Sequence, residues 1–314
     1  MNIKTALVLS VSLFAVSFVP PLAAESSGNG MPSMQAIVTA IKKVAFSPSL
    51  SSASPARDNL QESIAEQQDI LVFTAPPRES PEEGMEIYKP VADYLSKTIG
   101  KKIVYQHPGT WGVYRTKMVQ GGYDIVFDGP HFNSYRMEKL SHNVLVKIPE
   151  RFEFAVIVRK EQNFSAVSQM AGRTFCAHAP PNLGTLMLLS KFDNPVRQPV
   201  ILSTDGWQNI YEGVASGKCL GGVLPIANLK KYDRAGNTKV IFKTQGMPNQ
   251  AFSAGPRVSL DDQAKIAQAL VSPDAVGPTA KLRAAYKVGD GFVLANNEEY
   301  KGLAEFLRNE WGYY

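Results

Sequence analysis

From residue 69 onward the chain alternates short apolar runs with longer amphipathic ones. DILVFTAP, KKIVYQHP, YDIVF and, at 152–160, FEFAVIVRK are rich in β-branched and aromatic residues and predict strands. Between them EEGMEIYKPVADYLSKTIG places Ile87, Val91, Tyr94, Leu95 and Ile99 on one side of a helix, with room for a restart at Pro90, and TWGVYRTKMVQGG predicts a second helix. The same alternation then repeats. GRTFCAHA, RQPVILS, KCLGGVLP and TKVIFKT predict strands, separated by helices over NLGTLMLLSKF and GWQNIYEGVASG and a further one before TKVIFKT. QAFSAGPRV predicts a strand leaving this second set, and helices over 261–271 and 299–310 finish the chain, the first capped by Ser259.

Helices between short Val/Ile-rich strands imply an α/β layout with parallel sheet. Two long strands bracket the middle third, which predicts two lobes joined by two crossovers: lobe one from 69–156 plus 250–314, lobe two from 157–249. A faint internal echo agrees with two similar halves. Trp111 precedes Gly121 by ten residues and Trp207 precedes Gly217 by ten, each pair followed by an apolar strand and a turn with Pro.

The amino end reads differently. One Lys precedes the apolar run ALVLSVSLFAVSFV, which is too short to span a bilayer, and Ala23 and Ala24 close it. That pattern predicts a secretory signal over 1–24, with a membrane-anchoring helix as the alternative. Residues 25–68 are rich in Ser, Ala, Gln and Pro and read as a flexible leader, in which only MQAIVTAIKKVAF has helical period.

Composition changes this picture little. The 314 residues carry 33 Lys and Arg against 28 Asp and Glu, a formal charge of +5. That is mildly basic and dispersed, which argues against nucleic acid as a partner and is compatible with attracting an anion. Cys176 and Cys219 are the only cysteines. In an exported chain an even pair predicts a structural disulfide; reactive or metal-binding roles are the alternatives, and two thiols alone cannot complete a zinc site.

The ordered segments YKPVADYLSKTIGKKIVY, GTWGVYRTKMVQGGYDIVFDGPHF, GRTFCAHAPPNLGT, GWQNIYEGVASGKCLGGVLP and GFVLANNEEYKGL resemble the phosphate/phosphite/phosphonate-type periplasmic solute-binding proteins of ABC importers. The resemblance covers residues 69 to about 305. It implies a type II bilobal fold, two α/β lobes joined by two crossing strands, a small oxyanion-type ligand in the cleft, an inner-membrane ABC permease as partner and a periplasmic location. No cofactor, catalytic residue or resident metal is implied, and a monomer is expected. The resemblance places Trp111 or Tyr114 at a ligand contact of the first lobe. It sets Asp128 where a tyrosine often ends a strand, PPNLGT (Pro180 to Thr185) at the anion-binding turn, Trp207 at the head of the next helix, and Asn249 or Gln250 near the return crossover.

Two departures bear on the ligand. Pro180 and Pro181 remove two N–H donors, leaving Asn182, Leu183, Gly184 and Thr185. A buried Asp128 repels an oxyanion unless it is protonated or paired with Arg or His. The expected pocket is Asp128, His131, Asn182, Thr185 and Trp207, with Trp111, Tyr114, Arg78 and Gln250 behind them, and FDGPHF is one wall of it. Two other readings remain open. His131, His107, His178, Asp128 and tyrosines are types a ferric or cupric ion accepts, so the same fold could bind a metal or a chelate; or the leader could tether a sensor or adaptor to a membrane partner. No GxSxG, P-loop or GxGxxG after a strand is present, and no nucleophile, base and orienting partner assemble into an enzyme.

Overall fold

The computed structural model describes residues 70–310 and 312–313. The expected signal over 1–24, the leader over 25–68 and its periodic stretch lie outside the described residues. The strand β1 (Leu71–Thr74) leads into helix α1 (Pro81–Ile99), then β2 (Ile103–Tyr105), α2 (Trp111–Val119), β3 (Ile125–Asp128), α3 (Pro130–Leu140) and β4 (Asn143–Lys147). The chain continues through β5 (Phe154–Arg159), β6 (Thr174–Ala177), α4 (Leu183–Leu189), β7 (Val200–Ser203), α5 (Trp207–Ala215), β8 (Gly221–Pro225), α6 (Ile226–Tyr232) and β9 (Thr238–Lys243). It ends with β10 (Ala251–Ala254), α7 (Leu260–Val271), α8 (Ala280–Tyr286) and β11 (Val293–Leu294).

These strands form two sheets, ordered β11-β4-β10-β3-β1-β2 and β7-β6-β8-β5-β9. Only β2-β1-β3 and β7-β6-β8 are parallel; β10, β4 and β11 in one sheet and β5 and β9 in the other pair antiparallel. The chain passes from sheet one to sheet two between β4 and β5 and returns between β9 and β10. The two passages touch through a bridge pairing Phe152 with Met247. The expected boundary at 156 falls inside β5, all of which lies in the second sheet.

Burial on both sheet faces explains why the central strands β3, β5, β8 and β10 read as apolar runs without alternation. Along β5, Phe154, Val156 and Val158 enter one cluster with Phe175 and Leu188, while Ala155 and Ile157 enter another with Ile210 and Val214 of α5. On α1, Tyr88, Val91, Ala92 and Leu95 are buried against Phe73, Phe127 and Phe252, the spacing of a helix stripe facing a sheet. Pro90 sits on the exposed side of α1, so the helix runs through it without a restart. Cys176 and Cys219 are joined, tying β6 to the turn before β8 with Cα atoms 5.6 Å apart.

Three local expectations change. The helix over 299–310 is instead short 3-10 turns, Asn297–Glu299 and Leu303–Leu307. Helix α8 was absent from the expected elements; seven residues with one buried leucine give too little period to see. FDGPHF, expected as a pocket wall, runs from a strand into a helix that the expected elements lack: Phe127 and Asp128 end β3, Gly129 is the N-cap of α3, and Pro130 stands at its first position, where a missing N–H costs nothing.

Candidate functional site

The carboxyl ends of β1 and β3 bring the first group of side chains together, as parallel sheets do at their ligand-binding edge. Asp128 is the last residue of β3 and wholly buried. Its carboxylate accepts from Arg136 Nη1 at 2.8 Å, from Arg78 Nη2 at 3.3 Å and from the Tyr114 hydroxyl. Arg136, two turns along α3, is 1% exposed and also donates to Tyr114 Oη at 2.5 Å. Arg78, from the turn joining β1 to α1, keeps 29% of its side chain exposed and donates from Nη1 to Tyr286 Oη at 3.2 Å.

Asp128 meets both guanidiniums directly, and Glu79 brings a second carboxylate to the Arg78 side. Burial disfavours the charge on both arginines, but Tyr286 and Asp128 around Arg78, and Tyr114 and Asp128 around Arg136, outweigh it and raise both above the ordinary arginine range. Tyr114 is pushed well above the usual tyrosine range, by burial first, so it stays a neutral donor to Asp128. Glu79, next to Arg78, is raised by burial against the opposing pull of that arginine.

Across from this group stand residues of the second sheet. His131, on the first turn of α3, reaches over to Pro181, its Nε2 3.0 Å from the carbonyl oxygen. Asn182 caps α4, accepting from Gly184 N at 3.0 Å, and buried Thr185 donates to His178 O at 2.6 Å. Trp207 opens α5 with its ring edge-on to His178, centroids 4.3 Å apart. His178 is held below the ordinary histidine value by burial, with Asp205 opposing and Arg78 adding to the effect, so the two jaws feel each other's charge. Leu186 of α4 shares a buried cluster with Tyr114, Phe132 and Tyr135.

The structure thus brings Arg78, Tyr114, Asp128 and His131 together, with Asn182, Thr185 and Trp207 on the elements facing them. Trp111 lies at the rim, stacked on Phe132 with centroids 6.2 Å apart. Gln250 stands apart, in the return passage, where its backbone bonds Ile148 and Asn249. Among the described residues no three His, Cys, Asp or Glu side chains are grouped to hold a metal ion. Two arginines beside Asp128 repel a cation there.

The model for ABC transporter, phosphonate, periplasmic substrate-binding proteins matches residues 73–300. The chain belongs to this family. Its members are the binding components of ABC importers and work in the periplasm, with a small-molecule ligand and a permease as partners. No curated protein sequence matches the chain.

Among solved structures it is similar to PhnD1 of Prochlorococcus marinus in complex with methylphosphonate, at 15% identity and TM-score 0.58, over 77% of this chain and 98% of that one. XAC2383 of Xanthomonas citri bound to ATP aligns at 12% identity and TM-score 0.60, over 76% and 97%. A binding protein component of an ABC phosphonate transporter from Pseudomonas aeruginosa, PA3383, aligns at 13% identity and TM-score 0.53, over 74% and 83%. At such identities the likeness is one of fold, the type II periplasmic-binding-protein fold of two α/β lobes. No described helix is long and apolar enough to cross a membrane.

Sequence reasoning for this family member missed Arg136 and Tyr286. Arg136 lies in YRMEK, charged text with no apolar period to mark a helix, and Tyr286 ends a helix too short to see. The one available signal was Asp128 itself, since a buried carboxylate demands a cation and Arg136 is two helical turns away.

Proposed function

We propose that this family member captures a small phosphonate-type oxyanion between lobes formed by the two sheets and releases it unchanged to a permease. Lobe one then holds β1–β4 with β10 and β11, and lobe two β5–β9, with the passages near 148–153 and 244–250 as the hinge. Arg78, Tyr114, Asp128, His131, Asn182, Thr185 and Trp207 are the side chains around the ligand, and the signal over 1–24 is removed on export.

The observation that carries the ligand class is the partly exposed guanidinium of Arg78 at the edge of the cluster. Asp128 would repel an oxyanion, but Arg136 neutralises it from the buried side at 2.8 Å. Arg78 is left facing the cleft, and guanidinium suits a tetrahedral oxyanion because its donors fork.

A thermal-shift titration with methylphosphonate tests this. A ligand that binds only the folded state raises the melting temperature by mass action, and the shift grows with concentration beyond the dissociation constant. The reading fails if methylphosphonate, phosphite and phosphate all leave the midpoint unmoved, or if phosphorus NMR shows the bound compound being converted.

A further inference from the structure

Asp128, Arg136 and Tyr114 are buried, whereas Arg78 keeps 29% of its side chain exposed. An arginine with that much surface has many rotamers open to it. Two partners restrict this one. Its Nη2 donates to Asp128 at 3.3 Å and its Nη1 to the Tyr286 hydroxyl at 3.2 Å.

The end of β3 seats both partners. Successive side chains of a strand point to opposite faces of the sheet. Asp128 meets Tyr114 and Arg136 on one face, while Phe127 belongs to the core cluster that α1 covers on the other. Tyr286, the last residue of α8, packs edge-on against Phe127 with ring centroids 5.0 Å apart. Arg78 therefore straddles the carboxyl end of β3, with one nitrogen tied to each face. Tying Nη1 and Nη2 to separate partners fixes the direction of the guanidinium edge. Asp128 alone would leave the group free to turn about one long bond.

The hydrogens run one way along this contact. A guanidinium only donates, so the Tyr286 oxygen accepts from Arg78 and keeps its own hydrogen to give. Tyr88 Oη lies 3.2 Å away to receive it. Tyr88 is buried, stacked on Tyr105 with centroids 5.1 Å apart, and its hydroxyl also faces Glu79. Burial raises Tyr286 above the ordinary tyrosine range against the pull of Arg78, so at neutral pH it is a hydroxyl and not a phenolate.

We propose that Tyr286 is a positioning residue for ligand capture: its hydroxyl, braced by Tyr88, holds Arg78 in the orientation that receives the oxyanion. The role rests on the phosphonate-type reading above, in which Arg78 is the receiving group. Tyr286 acts through Arg78 and contacts no ligand itself. It lowers the ordering cost of binding, because the guanidinium is oriented before the ligand arrives.

Tyr286→Phe keeps the ring on Phe127 and deletes only the hydroxyl. In calorimetric titration of the full chain, methylphosphonate should bind this variant about fivefold more weakly, with the melting temperature near wild type. Arg78→Lys, whose ammonium lacks the fork, should also bind more weakly, and adding Tyr286→Phe to it should cost nothing further. A hydroxyl that served the fold alone would lower the melting temperature and cost the same affinity in either background. Side-chain NMR reads the holding directly, without ligand. In wild type the Nη hydrogens of Arg78, assigned by their loss in Arg78→Lys, should give separate signals with Overhauser contacts to the Tyr286 ring. In Tyr286→Phe those signals should merge as the guanidinium rotates. Wild-type affinity in a folded Tyr286→Phe, additive losses in the double variant, or merged Arg78 signals in wild type would each overturn the positioning role while the binding function stands. The wild-type spectrum needs no change at Tyr286, so it decides the matter even if Tyr286→Phe fails to fold. Wild-type protein that ignores methylphosphonate at every concentration would overturn the role and the function together.

Discussion

Asp128 and Arg136 form a pair in which neither residue is tolerable alone. Both are essentially inaccessible, and the Tyr114 hydroxyl bonds to each. Breaking such a pair by removing one partner leaves a charge in a low-dielectric interior and costs about 3–5 kcal/mol, more than the pair itself contributes. Arg136→Met keeps the volume and strands the carboxylate, leaving only the partly exposed Arg78 to meet it. Urea unfolding should show a loss in that range. A loss below about 1 kcal/mol would mean that Asp128 is not held by Arg136.

Two histidines set a second residue-scale expectation. Burial holds His131 down to about 4 and His142 down to about 3, with the Arg136 charge adding to the effect on each. In the unfolded chain a histidine takes its proton near 6.5. Below that pH the unfolded state binds protons that the folded state refuses, so the stabilisation is complete above about 6.5 and is lost as pH falls toward the folded values. His142 lies beside β10, with Ser253 Oγ 3.4 Å from its Nδ1, and its backbone N–H bonds the Arg136 carbonyl. Replacing it, His142→Gln, should make the decline between pH 6 and 4 shallower by about 1.4 kcal/mol per pH unit. An unchanged slope in urea midpoints over that range would exclude His142 as a contributor.

At the scale of elements, the second sheet is held by a close stack of small residues on its disulfide. Gly213 of α5 faces Cys176, whose Sγ would lie 2.6 Å from any Cβ added there. Gly222 of β8 is equally tight, with Val214 at 2.8 Å. The helix sits this low because both positions are glycine. The bridge closes a separation of 43 residues, which in the chain-entropy picture corresponds to about 4 kcal/mol. Cys176→Ala with Cys219→Ala should lower thermal stability accordingly, and reduction of the wild-type protein should do the same. Identical melting of reduced and oxidised protein would remove the bridge from the account.

How far these elements could be read from the chain follows from their length and burial. α1 was legible because 19 residues repeat a buried stripe, and the parallel strands because both their faces are apolar. α3 was hidden behind Gly129 and Pro130, which punctuate a loop as often as they start a helix, and its inward face carries His131, Asn133, Ser134 and Arg136 instead of an apolar stripe. That same polar burial conceals the site: Asp128 shows its need for a partner, but the partner's address is tertiary. His131 and Arg78 were visible as types at strand ends, whereas the groups that hold them come from elsewhere in the chain.

For the whole molecule, one buried cluster draws side chains from elements of both sheets. Leu186 of α4 follows β6 of the second sheet, yet it is 5% exposed and belongs to one buried cluster with Tyr114, Phe132 and Tyr135 of the first. The turn Leu303–Leu307 adds to both sides, with Leu307 in that cluster and Phe306 against both clusters. A hinged binding protein that parts its lobes exposes Leu186, so the side chain favours closure by about 1.5–3 kcal/mol. Leu186→Ser removes most of that preference without touching Arg78, Asp128 or His131. If closure and capture are coupled, the variant should bind methylphosphonate about tenfold more weakly, because less of the protein is in the competent form. Small-angle scattering should also give the unliganded variant a larger radius of gyration than wild type, and saturating ligand should bring the two together. Unaltered affinity with unaltered scattering would mean that Leu186 is packed in every state of the molecule, and that the lobes part elsewhere or not at all.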